Sequence, residues 1–259
     1  MKLPIFQIDA FANEVFAGNP AAVVPLEQWL PDEILQNIAQ ENNLSETAYF
    51  LPTDTGYRIR WFTPTMEVDL CGHATLASAY VLFERLGYSG NEIHFDSRSG
   101  PLTVSRNGDW LELDFPATNL EKCEIPELIT QAFGKQPLEV WKADDYIALY
   151  EKEADIVSLQ PDLRVLAELD CRGVIATARG VNADFVCRFF APRYGIDEDP
   201  VTGSAYCELM PYWADVLGRQ KLSALQLSQR GGQLQCELHG DRVRIAGKAV
   251  LYLEGTISI

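Results

Sequence analysis

Asp199-Pro-Val-Thr-Gly-Ser-Ala-Tyr206 decides how this chain reads, because it partly repeats Cys71-Gly-His-Ala-Thr75. Each stretch follows an extended aromatic segment that carries an arginine and ends in proline. In the first half this is Arg60-Trp-Phe-Thr-Pro64, and in the second Arg188-Phe-Phe-Ala-Pro192. Both stretches then run into a helical pattern of apolar residues. Aligning Gly72 with Gly203 sets His73 opposite Ser204 and Cys71 opposite Thr202. The step from proline to glycine is three residues longer in the second copy, so that copy carries a small insertion. A duplicated unit with different chemistry in its two copies implies two similar domains facing each other across one active site.

Working outward, the first half reads as strands over 4–11 and 20–25, helix 32–42, strands 46–52 and 57–63, and helix 72–87. Strands near 92–96, 101–106 and 110–115 close it. The second half nearly repeats the order: strands near 138–142 and 145–150, helix 161–169, strands 173–177 and 184–190, helix 203–217, then several strands. Arg230-Gly231-Gly232 and Gly240-Asp241 mark hairpin turns. Helix 72–87 is apolar almost all round until Glu84-Arg85, so it is buried on most sides. Strands on either side of it can wrap it as a curved sheet. The expected fold class is α+β, with two similar domains, each a curved and mostly antiparallel sheet around a central helix. The polar, proline-flanked stretch Pro116 to Pro126 is the natural join, giving domains 1–118 and 119–259.

Composition bounds the function. At 259 residues with 47% apolar content, the chain can bury one large core or two smaller ones. A net charge of −16 argues against nucleic acid, whose phosphates need a basic footprint. Bound anions then need backbone N–H groups or a few arginines. No apolar run approaches the roughly 18 residues of a membrane span, and the N-terminal residues lack the apolar core of a signal peptide. Six scattered cysteines without a Cys-x-x-Cys pair read as reduced thiols of a cytoplasmic protein. Three histidines, at 73, 94 and 239, offer no metal-ligand spacing, and no nucleotide-binding motif is present, so neither metal nor cofactor is expected.

The candidate chemistry gathers at a few residues. A glycine opening a buried helix lets an anion approach the free N–H groups of its first turn. Gly72 and Gly203 with Ser204 are therefore candidates for holding a substrate carboxylate, as a clamp between the domains; close packing of small residues is the bland alternative. Glu46, in Asn43-Leu-Ser-Glu-Thr-Ala48, leads into apolar Tyr49-Phe50-Leu51, where a partly desolvated carboxylate suits proton transfer. Asp199 is crowded by Asp197 and Glu198. His73 is the histidine beside a glycine at a helix start, where the dipole favours the neutral ring and lowers the pKa of a thiol such as Cys71. Each of these residues also has an ordinary structural explanation.

Taken together, Asp9-Ala-Phe…Gly18-Asn-Pro-Ala-Ala-Val23, Asn43-Leu-Ser-Glu-Thr-Ala48, Cys71-Gly-His-Ala-Thr75 and Asp199-Pro-Val-Thr-Gly-Ser-Ala205 resemble the PhzF family of phenazine-biosynthesis-like isomerases. The likeness runs essentially the whole chain and implies the diaminopimelate-epimerase-like fold. It further implies a soluble enzyme, often a homodimer, without metal or organic cofactor, acting on a small carboxylate with the site between the domains. The family's acid/base glutamate falls on Glu46, its histidine on His73, its aspartate on Asp199, and its glycine and serine on Gly203 and Ser204. Catalytic cysteines of epimerases fall on Cys71 and Thr202, and the second is no thiol, which disfavours a two-cysteine racemase. Tyr206 departs from the histidine common after Gly-Ser-Ala. Two rivals stand beside this reading: a hydroxyproline-dehydratase or proline-racemase type of enzyme using Cys71 and Thr202, and a non-catalytic binding protein of the same fold.

Overall fold

The computed structural model describes residues 1–259. Gly18 makes its first turn possible: φ is +66°, and a Cβ there would lie 2.1 Å from the Ala10 carbonyl oxygen. The chain thus returns from β1 (Lys2–Ala10) into the antiparallel β2 (Asn19–Pro25), with Phe6 opposite Val23. Helix α1 (Asp32–Asn42) carries it to β3 (Glu46–Thr53), parallel to β2 with Ala21 opposite Glu46. Asn43 closes α1 at φ 48°, in the left-handed conformation asparagine tolerates, and turns the chain toward Glu46.

β4 (Gly56–Phe62) pairs antiparallel with β3 and with the short β5 (Glu67–Val68). Helix α2 (Gly72–Glu84) then crosses to β6 (Glu92–Ser97), parallel to β4. β7 (Gly100–Asn107) and β8 (Trp110–Pro116) continue as an antiparallel meander. Burial covers ten of the 13 residues of α2, as its nearly uniform apolar sequence requires. Its buried hydroxyls are satisfied within the helix: Thr75 Oγ1 donates to the Cys71 carbonyl at 2.5 Å and Ser78 Oγ to that of Ala74 at 2.7 Å.

The second unit repeats the plan. β9 (Glu121–Cys123), α3 (Glu127–Phe133), β10 (Glu139–Lys142) and β11 (Tyr146–Leu149) lead through α4 (Glu153–Ser158) and α5 (Leu163–Leu166) to β12 (Val174–Arg179). β12 is parallel to β11 and antiparallel to β13 (Phe185–Ala191). A 3₁₀ turn (Pro192–Tyr194) and β14 (Ile196–Asp199) follow, so the longer second copy spends residues on this turn. Helix α6 (Ala205–Leu217) then crosses to β15 (Lys221–Gln226), parallel to β13. β16 (Gly232–His239) and β17 (Arg242–Gly247) come next, with Gly240 at φ +62° between them. Within α6, Pro211 cannot donate to the Cys207 carbonyl, and the Thr118 N–H takes its place at 3.0 Å.

The arginines of the two repeated segments have matching roles. Arg60 makes a two-pronged bond to Glu67 (2.7 and 2.8 Å) and lies over the Phe62 ring at 5.1 Å. Arg188 does the same with Glu198 (2.6 and 2.9 Å) and Phe190 (4.9 Å). Such charge-assisted forks are among the stronger hydrogen bonds. They keep both arginines structural.

Each unit is α+β, a curved and mostly antiparallel sheet around a central helix, the epimerase-like architecture. Met1–Asp114 with Ala246–Ile259 forms the first unit and Phe115–Ile245 the second. The expected domains 1–118 and 119–259 are thereby corrected at the C-terminus. The last strand, β18 (Ala249–Ser258), pairs with β1 from Lys2 opposite Ser258 to Ala10 opposite Ala249. Alternation reveals a strand but not its distant partner. Smaller corrections concern the helices: α2 ends at Glu84, α6 begins at Ala205, the expected helix 161–169 shrinks to α5, and α3 and α4 were not anticipated. No helix is long and apolar enough to cross a membrane.

Candidate functional site

In the first unit the chain brings Glu46, Cys71, Gly72 and His73 together. Glu46 is the first residue of β3, Cys71 caps α2 in an extended conformation (φ −147°), and Gly72 and His73 begin its first turn. His73 Nε2 lies 3.1 Å from Glu46 Oε2, the side chains being only 7% and 14% exposed. The contact lacks hydrogen-bond alignment, so both atoms remain without a hydrogen-bond partner. On the other edge of the ring, Nδ1 is 3.5 Å from Cys71 Sγ. Imidazole therefore links a carboxylate to a thiol.

The protonation states differ from those expected at a helix start. Burial disfavours a charged His73, yet the Cys71 sulfur and the Glu46 carboxylate together outweigh it and raise the pKa well above the usual imidazole value. With Cys71 protonated, the Glu46 carboxylate is the neighbouring charge that favours the imidazolium. The Cys71 thiol is pushed up to about 11, first by desolvation and then by Glu46, and stays protonated. Both directions run against the expected neutral ring and thiolate: for Cys71 desolvation outweighs the helix dipole, and for His73 the neighbouring sulfur and carboxylate do.

The ligand atoms of Glu46, Cys71 and His73 lie within 4.8 Å of one another, a donor set suited to a zinc-like ion that the histidine spacing did not suggest. However, Nδ1 faces the sulfur and Nε2 the carboxylate, from opposite ring edges. A single ion on all three residues would have to displace one of these contacts.

In the second unit Asp199, Gly203 and Ser204 collect where β14 leads into α6. Thr202 Oγ1 donates to Asp199 Oδ2 at 2.5 Å. Gln226, fully buried, ties this turn together. Its Oε1 accepts from the Thr202 N–H at 2.9 Å, and its Nε2 donates to the Asp199 carbonyl at 2.9 Å. Tyr206 is buried as well, with its hydroxyl against Gln226 Oε1 (3.4 Å) and Cys187 Sγ (3.5 Å). Burial, then Cys187, hold that phenol well above its usual pKa, so it is a neutral internal strut.

Ser204 Oγ accepts a hydrogen bond from Arg172 Nη1 at 3.0 Å. Arg172, its buried partner Asp145, Glu208 and Gln226 were absent from the candidates found in sequence. Glu208 alone left a signal, a single acid inside the apolar helix Ala205-Tyr-Cys-Glu-Leu-Met-Pro-Tyr-Trp213. Arg172 and Asp145 sit in irregular or short segments with no periodicity to mark them.

A helix-wrapping sheet occurring twice, with an acid and a histidine at one central helix and an aspartate and serine at the other, defines an epimerase-fold protein. Residues 8–255 match the phenazine biosynthesis-like protein family, and the chain belongs to it. It is 53% identical over 259 residues to an uncharacterized isomerase of Pseudomonas aeruginosa, covering all of both chains. A PhzF-family crystal structure from Enterococcus faecalis superposes with a TM-score of 0.98 at 46% identity, again over all of both chains. At the level of fold alone, a hydroxyproline epimerase from Agrobacterium vitis has a TM-score of 0.60 at 11% identity, covering 99% of this chain and 92% of that one.

Proposed function

We propose that this chain is an isomerase of the PhzF type that moves a proton between carbons of a small carboxylate substrate, with Glu46 as the acid/base. The observation that carries this is the Glu46–His73 contact: a carboxylate oxygen and a ring nitrogen, both shielded from solvent, 3.1 Å apart and without another hydrogen-bond partner. Glu46 takes a proton from carbon and returns it to another position. The positive His73 offsets the charge that develops, and Gly72, Gly203 and Ser204 hold the carboxylate while Asp199 orients a polar substituent. Glutamate is a weak base for a carbon acid, so the acceleration comes from positioning and from preorganised charge. The chemistry calls on protein groups only.

The dehydratase or racemase alternative needs a reactive Cys71, and a thiol held near 11 argues against it. The test is mass spectrometry of dihydro-hydroxyanthranilate and a panel of small carboxylates incubated in heavy water, beside Glu46→Gln. Deuterium entering a carbon position with wild type and not with the variant supports the assignment. Exchange by Glu46→Gln at the wild-type rate rejects it, and binding without exchange in any compound favours the non-catalytic reading.

A further inference from the structure

The chain offers an anionic ligand few cations, with 21 lysines and arginines against 37 acids. Arg172 is one whose side chain is both anchored and partly open, at 38% exposure. The fully buried Asp145 holds two of its nitrogens, Nε donating to Oδ1 at 2.9 Å and Nη2 to Oδ2. The remaining nitrogen, Nη1, donates to Ser204 Oγ at 3.0 Å. The Phe189 ring, 5.8 Å from the guanidinium carbon, packs alongside.

A guanidinium has donors and no acceptor, so Ser204 must be the acceptor in this bond. Its own hydroxyl proton is left to donate elsewhere. Glu208 lies one helical turn further on, 1% exposed, with Oε1 3.7 Å from Arg172 Nη2. Burial first, and the Asp145 charge second, push its carboxyl up to about 8 despite Arg172. At neutral pH it is mostly an uncharged acid, so the close counter-charge of Arg172 is Asp145, with Asp144 acting more weakly.

We propose that Arg172, gripped by Asp145, is the positioning residue that commits the Ser204 hydroxyl to donating toward a ligand carboxylate and places a positive charge beside it. The inference rests on the proposed function only in taking a carboxylate as the ligand class.

Titration calorimetry of the intact protein at pH 7 with benzoate and with benzamide, its neutral counterpart, tests this apart from any proton transfer. Wild type is expected to prefer benzoate by about tenfold, the scale of a charge-assisted hydrogen bond. Arg172→Gln alone strands a buried carboxylate and risks unfolding, so it is combined with Asp145→Asn. That pair and Ser204→Ala should each remove most of the preference, and adding Ser204→Ala to the pair should cost less than about twofold more, as for groups acting as one unit. The proposal is overturned by the absence of a preference in wild type, by an unchanged preference in the Arg172/Asp145 pair, or by effects that multiply. Failure of the deuterium exchange with an intact benzoate preference would instead count against Glu46 catalysis alone.

Discussion

Glu46 Oε2 and His73 Nε2 face each other at 3.1 Å from the first residue of β3 and the second residue of α2. A strand start and a helix start are rigid mounts, so the pair is fixed by the fold and not by a flexible loop. The contact favours the charged form of His73, and its effect on stability is measurable.

His73 has a raised pKa in the folded protein, so it contributes stability that is complete below about 6.5, the unfolded value, and lost as pH rises through the higher folded value. The stability advantage of wild type over His73→Gln, measured by urea unfolding, should therefore shrink from pH 6 to pH 9. A constant difference would mean that the ring is not charged in the native state.

Cys71, held at about 11, should behave as an inert thiol. At pH 7.5 its thiolate fraction is of order one in several thousand, so native iodoacetamide labelling read by peptide mass spectrometry should leave it nearly untouched. Cys71→Ser should keep proton exchange within about tenfold of wild type. Complete loss would restore the dehydratase or racemase reading.

Glu208 titrates in the opposite sense to an ordinary surface acid. Its folded pKa of about 8 lies above the unfolded value of 4.5, so wild-type stability is eroded as pH climbs between the two. Glu208→Gln, which cannot ionise, should gain a few kcal/mol relative to wild type between pH 5 and pH 9. Denaturation curves at the two pH values check this, and an equal difference at both would place an ordinary carboxylate there.

Gln226 is the buttress of the Asp199–Thr202 turn. Gln226→Leu strips the Thr202 N–H and the Asp199 carbonyl of their partner. Leaving such groups buried and unpaired costs roughly 1–3 kcal/mol each, so a total loss of about 2–6 kcal/mol is expected by chemical denaturation. A loss below about 0.5 kcal/mol would show that the turn holds itself.

Much of the fold was legible because its signals are local. The apolar run from Ala74 to Phe83 announced a buried helix, and Arg60-Trp-Phe and Arg188-Phe-Phe announced equivalent strands. The short helices α3 and α4 escaped because one or two turns leave too little periodicity. Of the site, Glu46, His73, Asp199 and Ser204 stood out through their motifs. Arg172, Asp145 and Gln226 did not, since each acts on a residue 24 to 32 positions away in sequence and is recognisable only by what it touches.

By itself the sequence determined the duplicated strand–strand–helix–strand unit, the start of α2 at Gly72 and the family, because alternation, punctuation and motifs are written in consecutive residues. Tertiary structure alone decided that β18 returns to β1, that Ser204 is an acceptor from Arg172, and that the surroundings of His73 and Cys71 push both pKa values up. Strand partners, hydrogen-bond roles and protonation depend on distances and burial between residues far apart in the chain, and only the folded protein sets those.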